Sequence, residues 1–376
     1  MKKIFRHIHL WLSIPFGLVI TITCFTGAML IFETEITQAL QREKYFVREV
    51  GTAPLPLDEL ARRAEEVLQE DVRITGISVP DDPERAYSVK LSKPKRAVLM
   101  INPYNGEILG QSERPAFFKV MFSLHRWLMD TRPAEGGIFW GKLIVGISTL
   151  TFVVILISGL IIWIPKSRKA LKSRFSINLR KGWKRFLYDL HVAGGIYGVV
   201  LLLAMALTGL TWSFPWYRDA FYSVFGATTA KNQGNKNVND SNKDVSKSKN
   251  ENVAKYQHWQ YAFEEVAGLN PDFKQITVAD QSAQVTFSKW GNQRASDTYR
   301  WDPASGAITS VEYYRDADNS GKIRGWIYSI HVGNWGGWLT RILWFLASLL
   351  GASLPLTGYY LWIRRTYKQP NSARTT

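Results

Sequence analysis

The chain has 376 residues, 46% of them apolar and 13% aromatic, and a formal charge of +16. That length admits two or three soluble domains or a small membrane bundle with extramembrane parts, and the mean hydropathy of −0.12 conceals a very uneven distribution. The excess charge lies in Lys2, Lys3 and Arg6, in nine Lys/Arg within Lys166–Leu187, and in Arg364, Arg365, Lys368 and Arg374, segments without an acid, which excludes a nucleic-acid-binding surface.

The first apolar stretch, Leu10–Phe32, is long enough to cross a bilayer core, which takes about 20 helical residues. More such stretches follow it, so it reads as a signal anchor and not as a cleaved leader. Its lone cysteine, Cys24, leaves no disulfide framework and no Cys-x-x-Cys-His site for covalent haem. Next comes a polar region, 33–116. It opens on an amphipathic helical pattern, Leu57–Leu68, and continues into short alternating strands with a turn at Ile101-Asn-Pro-Tyr-Asn-Gly106. An amphipathic segment, 117–137, carries His125 and precedes the second span, Ile138–Ile164. The basic loop 166–187 leads to the third span, Val192–Phe214. Region 215–337 then repeats the earlier layout, with a helical pattern at Tyr256–Ala267, strands, a turn at Trp301-Asp-Pro-Ala-Ser-Gly306, and His331. The fourth span, Trp338–Ile363, and a basic tail, 364–376, end the sequence. Basic loops stay on the cytoplasmic side, so both termini are expected inside and the two long segments outside.

Spacings carry the repeat further. His9 precedes Thr26-Gly27 by 17 residues, and His191 precedes Thr208-Gly209 by 17. Lys142 precedes Gly159 by 17, and Arg341 precedes Gly358 by 17. His9–His125 spans 116 residues and His191–His331 spans 140; the excess of 24 matches Thr229–Asn252, a Lys/Asn/Ser-rich run with the composition of a disordered insertion. The fold expected is membrane α+β. Four transmembrane helices form a bundle of two parallel repeats, each carrying a small α+β domain outside.

Four of the six histidines thus occupy matched positions. His9 and His191 open the first and third spans on the inner side; His125 and His331 precede the second and fourth on the outer side. One pair per membrane face is what two six-coordinate b-type haems require, with an imidazole from each of two facing helices. The competing reading makes each an interfacial polar residue. Zinc or copper without porphyrin is poorly served by two histidines and no Cys or carboxylate cluster. His7 lies two residues from His9, on the opposite side of a helix, and lacks a repeat partner. Lys142 and Arg341 read either as snorkelling cations or as partners of haem propionates. The glycines along the spans serve close helix approach or clearance for a flat macrocycle.

The segments His9-Leu-Trp-Leu with Thr26-Gly27, Leu124-His125-Arg126-Trp127-Leu128, Leu190-His191 with Thr208-Gly209, and His331-Val-Gly-Asn-Trp-Gly-Gly337 resemble the PepSY-associated transmembrane proteins. The resemblance spans nearly the whole chain, and the outer regions look like PepSY modules. The family includes inner-membrane ferric-siderophore reductases of the FoxB type with two tightly bound haems. The resemblance implies a haem-dependent oxidoreductase that reduces a ferric siderophore, or another ferric chelate, on the periplasmic side. Its electron donor would be a cytoplasmic reductant, a protein or a quinol, since no Gly-x-Gly-x-x-Gly nucleotide fingerprint follows a strand. Two other readings remain: a quinol-linked haem protein with a different acceptor, and a non-redox, membrane-anchored PepSY binding or regulatory protein.

Overall fold

The computed structural model describes residues 2–94, 97–134, 136–165, 167–228, 256–287, 290–302 and 305–367. The run Thr229–Asn252 lies outside the described residues. The chain divides into a helical unit and a sheet unit.

The helical unit contains four helices long and apolar enough to cross a membrane, so this is a multi-pass membrane protein. α1 (Lys2–Ile31) is the first. After the short helices α2 (Glu33–Leu40), α3 (Arg42–Tyr45), α4 (Leu57–Glu66) and α5 (Ala116–Trp127) comes the second, α6 (Trp140–Trp163). The third follows α7 (Arg168–Phe175) and is composite: α8 (Trp183–Asp189), one π-helical turn at Leu190–Gly194, and α9 (Gly195–Ser213). α10 (Pro215–Val224), α11 (Trp259–Leu269) and α12 (Asn319–Val332) precede the fourth, α13 (Gly337–Tyr367). α1 packs along both α13 and α6, and α9 packs on α6 and α13. Small residues permit these approaches: Gly17 lies under the Tyr359 ring, whose hydroxyl donates to the Ile14 carbonyl at 2.7 Å. Ile20, Phe152, Leu202 and Leu354 fill the centre. The short helix α5, packed against α1 and α6, and the Ile327–Val332 end of α12 complete the unit.

The sheet unit is built from α4-β1-β2-β3-β4 and then α11-β5-β6-β7-β8, the same order twice. The strands are Ile74–Pro80, Tyr87–Leu91, Val98–Ile101, Ile108–Ser112, Phe273–Ala279, Ser282–Phe287, Ser296–Trp301 and Ile308–Glu312. All pair antiparallel in one sheet of order β4-β3-β2-β1-β5-β6-β7-β8. Period-2 alternation turns Ile77, Val79, Val89, Ile276, Val278 and Val285 to a single apolar face, where α4 and α11 supply Leu57, Leu60, Trp259 and Val266. At the central β1–β5 junction the buried hydroxyls of Ser78 and Thr277 bond each other at 2.8 Å. The helices are tied together as well: Tyr256 Oη donates to Glu65 at 2.8 Å, and Leu57 N donates to Gln260 at 3.0 Å. The Ile101–Gly106 turn forms; within the second, Pro303 and Ala304 lie outside the described residues. Gly106 and Gly306 both have φ +73°, where any side chain would be strained.

Candidate functional site

The four repeat-related histidines come together in two pairs inside the helical unit. His9 on α1 faces His191 on the π-helical turn, ring centres 6.3 Å apart and planes at 87°. His125 on α5 faces His331 on α12, centres 6.1 Å apart and planes at 56°. The pairs sit toward opposite ends of α1: His9 belongs to its second turn, whereas His125 packs on Gly27, about 27 Å along the axis at 1.5 Å per residue.

Each imidazole rests in a cradle supplied by a neighbouring helix. The cradle of His9 lies on α6: its Nδ1 is 3.1 Å from the Ile155 carbonyl and 3.1 Å from Ser158 Oγ. For His191 the partners lie on α13, the Leu354 carbonyl at 3.1 Å and Thr357 Oγ1 at 3.0 Å. His331 meets α9, with the Met205 carbonyl at 3.0 Å and Thr208 Oγ1 at 3.2 Å. His125 meets α1, with the Thr23 carbonyl at 2.9 Å. In every case the carbonyl belongs to the residue four before a glycine. That glycine, Gly159, Gly358, Gly209 or Gly27, lies against Cε1 of the same ring, where an added Cβ would come within 2.9–3.3 Å. The repeated glycines therefore make room for imidazole edges, a use that the sequence spacing alone does not specify.

A carbonyl oxygen carries no proton, so Nδ1 is the donor in all four rings and Nε2 keeps a bare lone pair. A metal-bound histidine characteristically donates its second ring N–H in this way. Metal–imidazole bonds of about 2.0–2.1 Å, with each ring centre about 1.1 Å behind its nitrogen, put two imidazoles on opposite sides of one iron about 6.2–6.4 Å apart. The separation of 6.3 Å falls within that span and the separation of 6.1 Å lies just below it. Among the described residues no group of three or more His, Cys, Asp or Glu could hold a bare metal ion. A pair of imidazoles would fit a group, such as a haem, that brings its remaining metal ligands with it.

The other expected site residues fall elsewhere. Arg341 donates to the Ile31 carbonyl at the end of α1, and its guanidinium lies 5.0 Å and 5.2 Å from the Phe32 and Trp338 ring centres. Lys142 is half-buried in the first turn of α6. His7 is exposed, and His258 packs on the Gly306 turn of the sheet unit. Sequence reasoning missed the hydroxyls of Ser158, Thr208 and Thr357, although a Ser/Thr-Gly pair in every span was the available signal. Trp212, which the sequence offers as an interfacial aromatic or as part of an aromatic relay, lies edge-on to His331 with ring centres 5.0 Å apart.

The family description "PepSY-associated TM region" matches residues 6–365. The chain belongs to the PepSY-associated TM family. No curated relative matches it. The match extends across all four histidines, both Ser/Thr-Gly pairs of each half, and the sheet unit, so in this PepSY-associated TM protein the paired cradles lie wholly within the shared region.

Proposed function

We propose that this chain is a di-haem oxidoreductase of the bacterial inner membrane, passing electrons from the cytoplasmic side to a ferric siderophore or similar ferric chelate in the periplasm. The observation that carries this reading is the pairing of four repeat-related imidazoles at 6.3 and 6.1 Å, with both Nδ1–H groups of each pair engaged behind the rings. His9 and His191 hold one haem b, and His125 and His331 the other. When bound, the haem supplies one-electron exchange at its iron, and the protein contributes position, potential and exclusion of water. The spans do this with apolar walls around Ile20, Phe152, Leu202 and Leu354.

The basic segments put both termini in the cytoplasm and the sheet unit in the periplasm. Ferric complexes of hydroxamates and catecholates are far tighter than their ferrous forms, so one electron loosens the iron and no general acid, base or nucleophile is needed. The donor is a quinol, a cytoplasmic protein or a small reductant. Lys142, half-buried in the first turn of α6, is the cation that would pair with a propionate.

A reduced-minus-oxidised absorption spectrum with pyridine haemochrome quantitation on the detergent-purified protein tests this. About two low-spin haem b per chain is the expected result, followed by reduction of a ferric chelate by reduced membranes. Protein made with ample haem yet lacking a Soret band would sink the electron-transfer reading and leave a membrane-anchored binding protein.

A further inference from the structure

The four cradles are alike in backbone and glycine but not in hydroxyl. Ser158 Oγ donates its single proton to the Ile155 carbonyl at 2.8 Å, on its own helix, so toward His9 it can only accept. Thr357 Oγ1 donates to the Leu354 or Ser353 carbonyl at 2.9 or 3.0 Å and accepts from His191. Thr208 Oγ1 donates to the Ala204 carbonyl at 2.6 Å and accepts from His331. In these three cradles the imidazole N–H is shared between a carbonyl and a hydroxyl already polarised by its own bond, an arrangement that strengthens each link. Thr26 is the repeat-equivalent residue for His125. It is 1% exposed and donates to the Ile22 carbonyl at 2.7 Å or the Thr23 carbonyl at 3.2 Å. Among the described residues, however, the Thr23 carbonyl is the sole hydrogen-bond partner of His125 Nδ1.

Building on the bis-histidine reading above, we propose that Ser158, Thr208 and Thr357 are positioning residues that make His9, His331 and His191 electron-rich ligands, and that Thr26 has no such role. His125 is then the poorest donor of the four. The outer pair is unequal by construction, whereas the inner pair has a hydroxyl behind both rings. A stronger acceptor behind Nδ1–H pushes electron density onto Nε2 and favours ferric over ferrous iron, so its removal raises the midpoint potential.

The test uses one kind of substitution at four equivalent places: Ser158→Ala, Thr357→Val, Thr208→Val and Thr26→Val in the full-length chain. Spectroelectrochemical titration and low-temperature EPR of the ferric haems provide the readouts. The first three variants are expected to retain haem and to shift one midpoint upward by about three- to tenfold in the redox equilibrium, roughly 30–60 mV for one electron. Thr26→Val is expected to leave both midpoints and all g-values in place. Thr208→Ser and Thr357→Ser, which keep the hydroxyl, should restore the native values. Thr26 is as buried as its counterparts, so a role in helix packing alone would move all four variants together; that outcome, or no shift in any, overturns the proposal. An arm independent of haem is ¹⁵N-histidine NMR of chain produced under haem limitation. Protonated Nδ1 at His9, His191 and His331 is expected there, and protonated Nε2 at those positions would overturn the assignment even in a protein that binds no haem.

Discussion

Replacing Gly27 by alanine puts a Cβ 2.9 Å from Cε1 of His125, whereas non-bonded carbons are at ease at about 3.5–4.0 Å. Relief requires the ring to retreat by about 0.6 Å or more, while metal–ligand distances tolerate only about 0.2 Å. Overpacking of this kind costs roughly 1–3 kcal/mol, which is about a 5- to 150-fold loss in cofactor retention at 1.4 kcal/mol per factor of ten. Gly358→Ala is the matched control. Its Cβ would lie 3.3 Å from Cε1 of His191, so a retreat of about 0.2 Å suffices and coordination survives. Alanine is favoured over glycine inside a helix by up to about 1 kcal/mol, so both variants should fold and insert. The assay is haem per chain by pyridine haemochrome after gel filtration, with the spectrum showing which site is lost. Gly27→Ala should fall toward one haem and Gly358→Ala should keep two. Full occupancy in Gly27→Ala, or equal loss in both, would refute the argument that these glycines make room for ligand rings.

Further outcomes are expected. His125→Ala and His331→Ala should each remove the same haem and leave the signal of the other; retention of both haems in either variant, read from the difference spectrum, breaks the pairing. Asp189→Ala removes a buried carboxylate that accepts from Arg185 Nε at 2.8 Å and Asn178 N at 3.1 Å, two residues before His191. It should cost about 1–3 kcal/mol and make the haem held by His9 and His191 the first lost on heating, with the other unaffected. In the sheet unit, burial and the nearby Tyr104 push the Tyr87 hydroxyl up to about 12. Its folded pKa is raised, so the stabilisation is fully present below the unfolded value of about 10 and is lost as pH rises from 10 to 12, by about 2–3 kcal/mol. Tyr87→Phe should flatten that part of the alkaline unfolding curve followed by circular dichroism; an unchanged slope would place the titrating group elsewhere.

Much of this architecture was legible because spans and turns are local. The stretch Ile138–Ile164 read from apolar length is α6, Trp140–Trp163, and Trp338–Ile363 lies inside α13. The spans extend further than hydropathy indicates at their charged ends: α1 begins at Lys2, and the third span begins at Trp183 because its helix continues into the basic loop. The turn glycines were legible because only a positive φ closes those hairpins. The pairing of the histidines came from the repeat, since matched positions in two halves share one geometry. The cradles were hidden because they join a ring on one helix to a carbonyl on another, and a carbonyl leaves no trace in residue identity. The π-helical turn under His191 was hidden for a similar reason: a single widened turn scarcely changes the apolar pattern. The β1–β5 junction was also out of reach, as nothing in either strand's own pattern names a partner about 200 residues away.

That junction has a consequence for biogenesis. Ile77 pairs with Val278 and Val79 with Ile276, so the flank of β1 that β5 covers stays bare on the nascent chain until the third span has been inserted and β5 has been translated. A bare flank is a template for intermolecular pairing, and long-range closure of this kind is slow. The amino-terminal half synthesised alone should therefore aggregate or be cleared by quality control. Two half-genes expressed together should complement each other, each product acting as the other's folding partner.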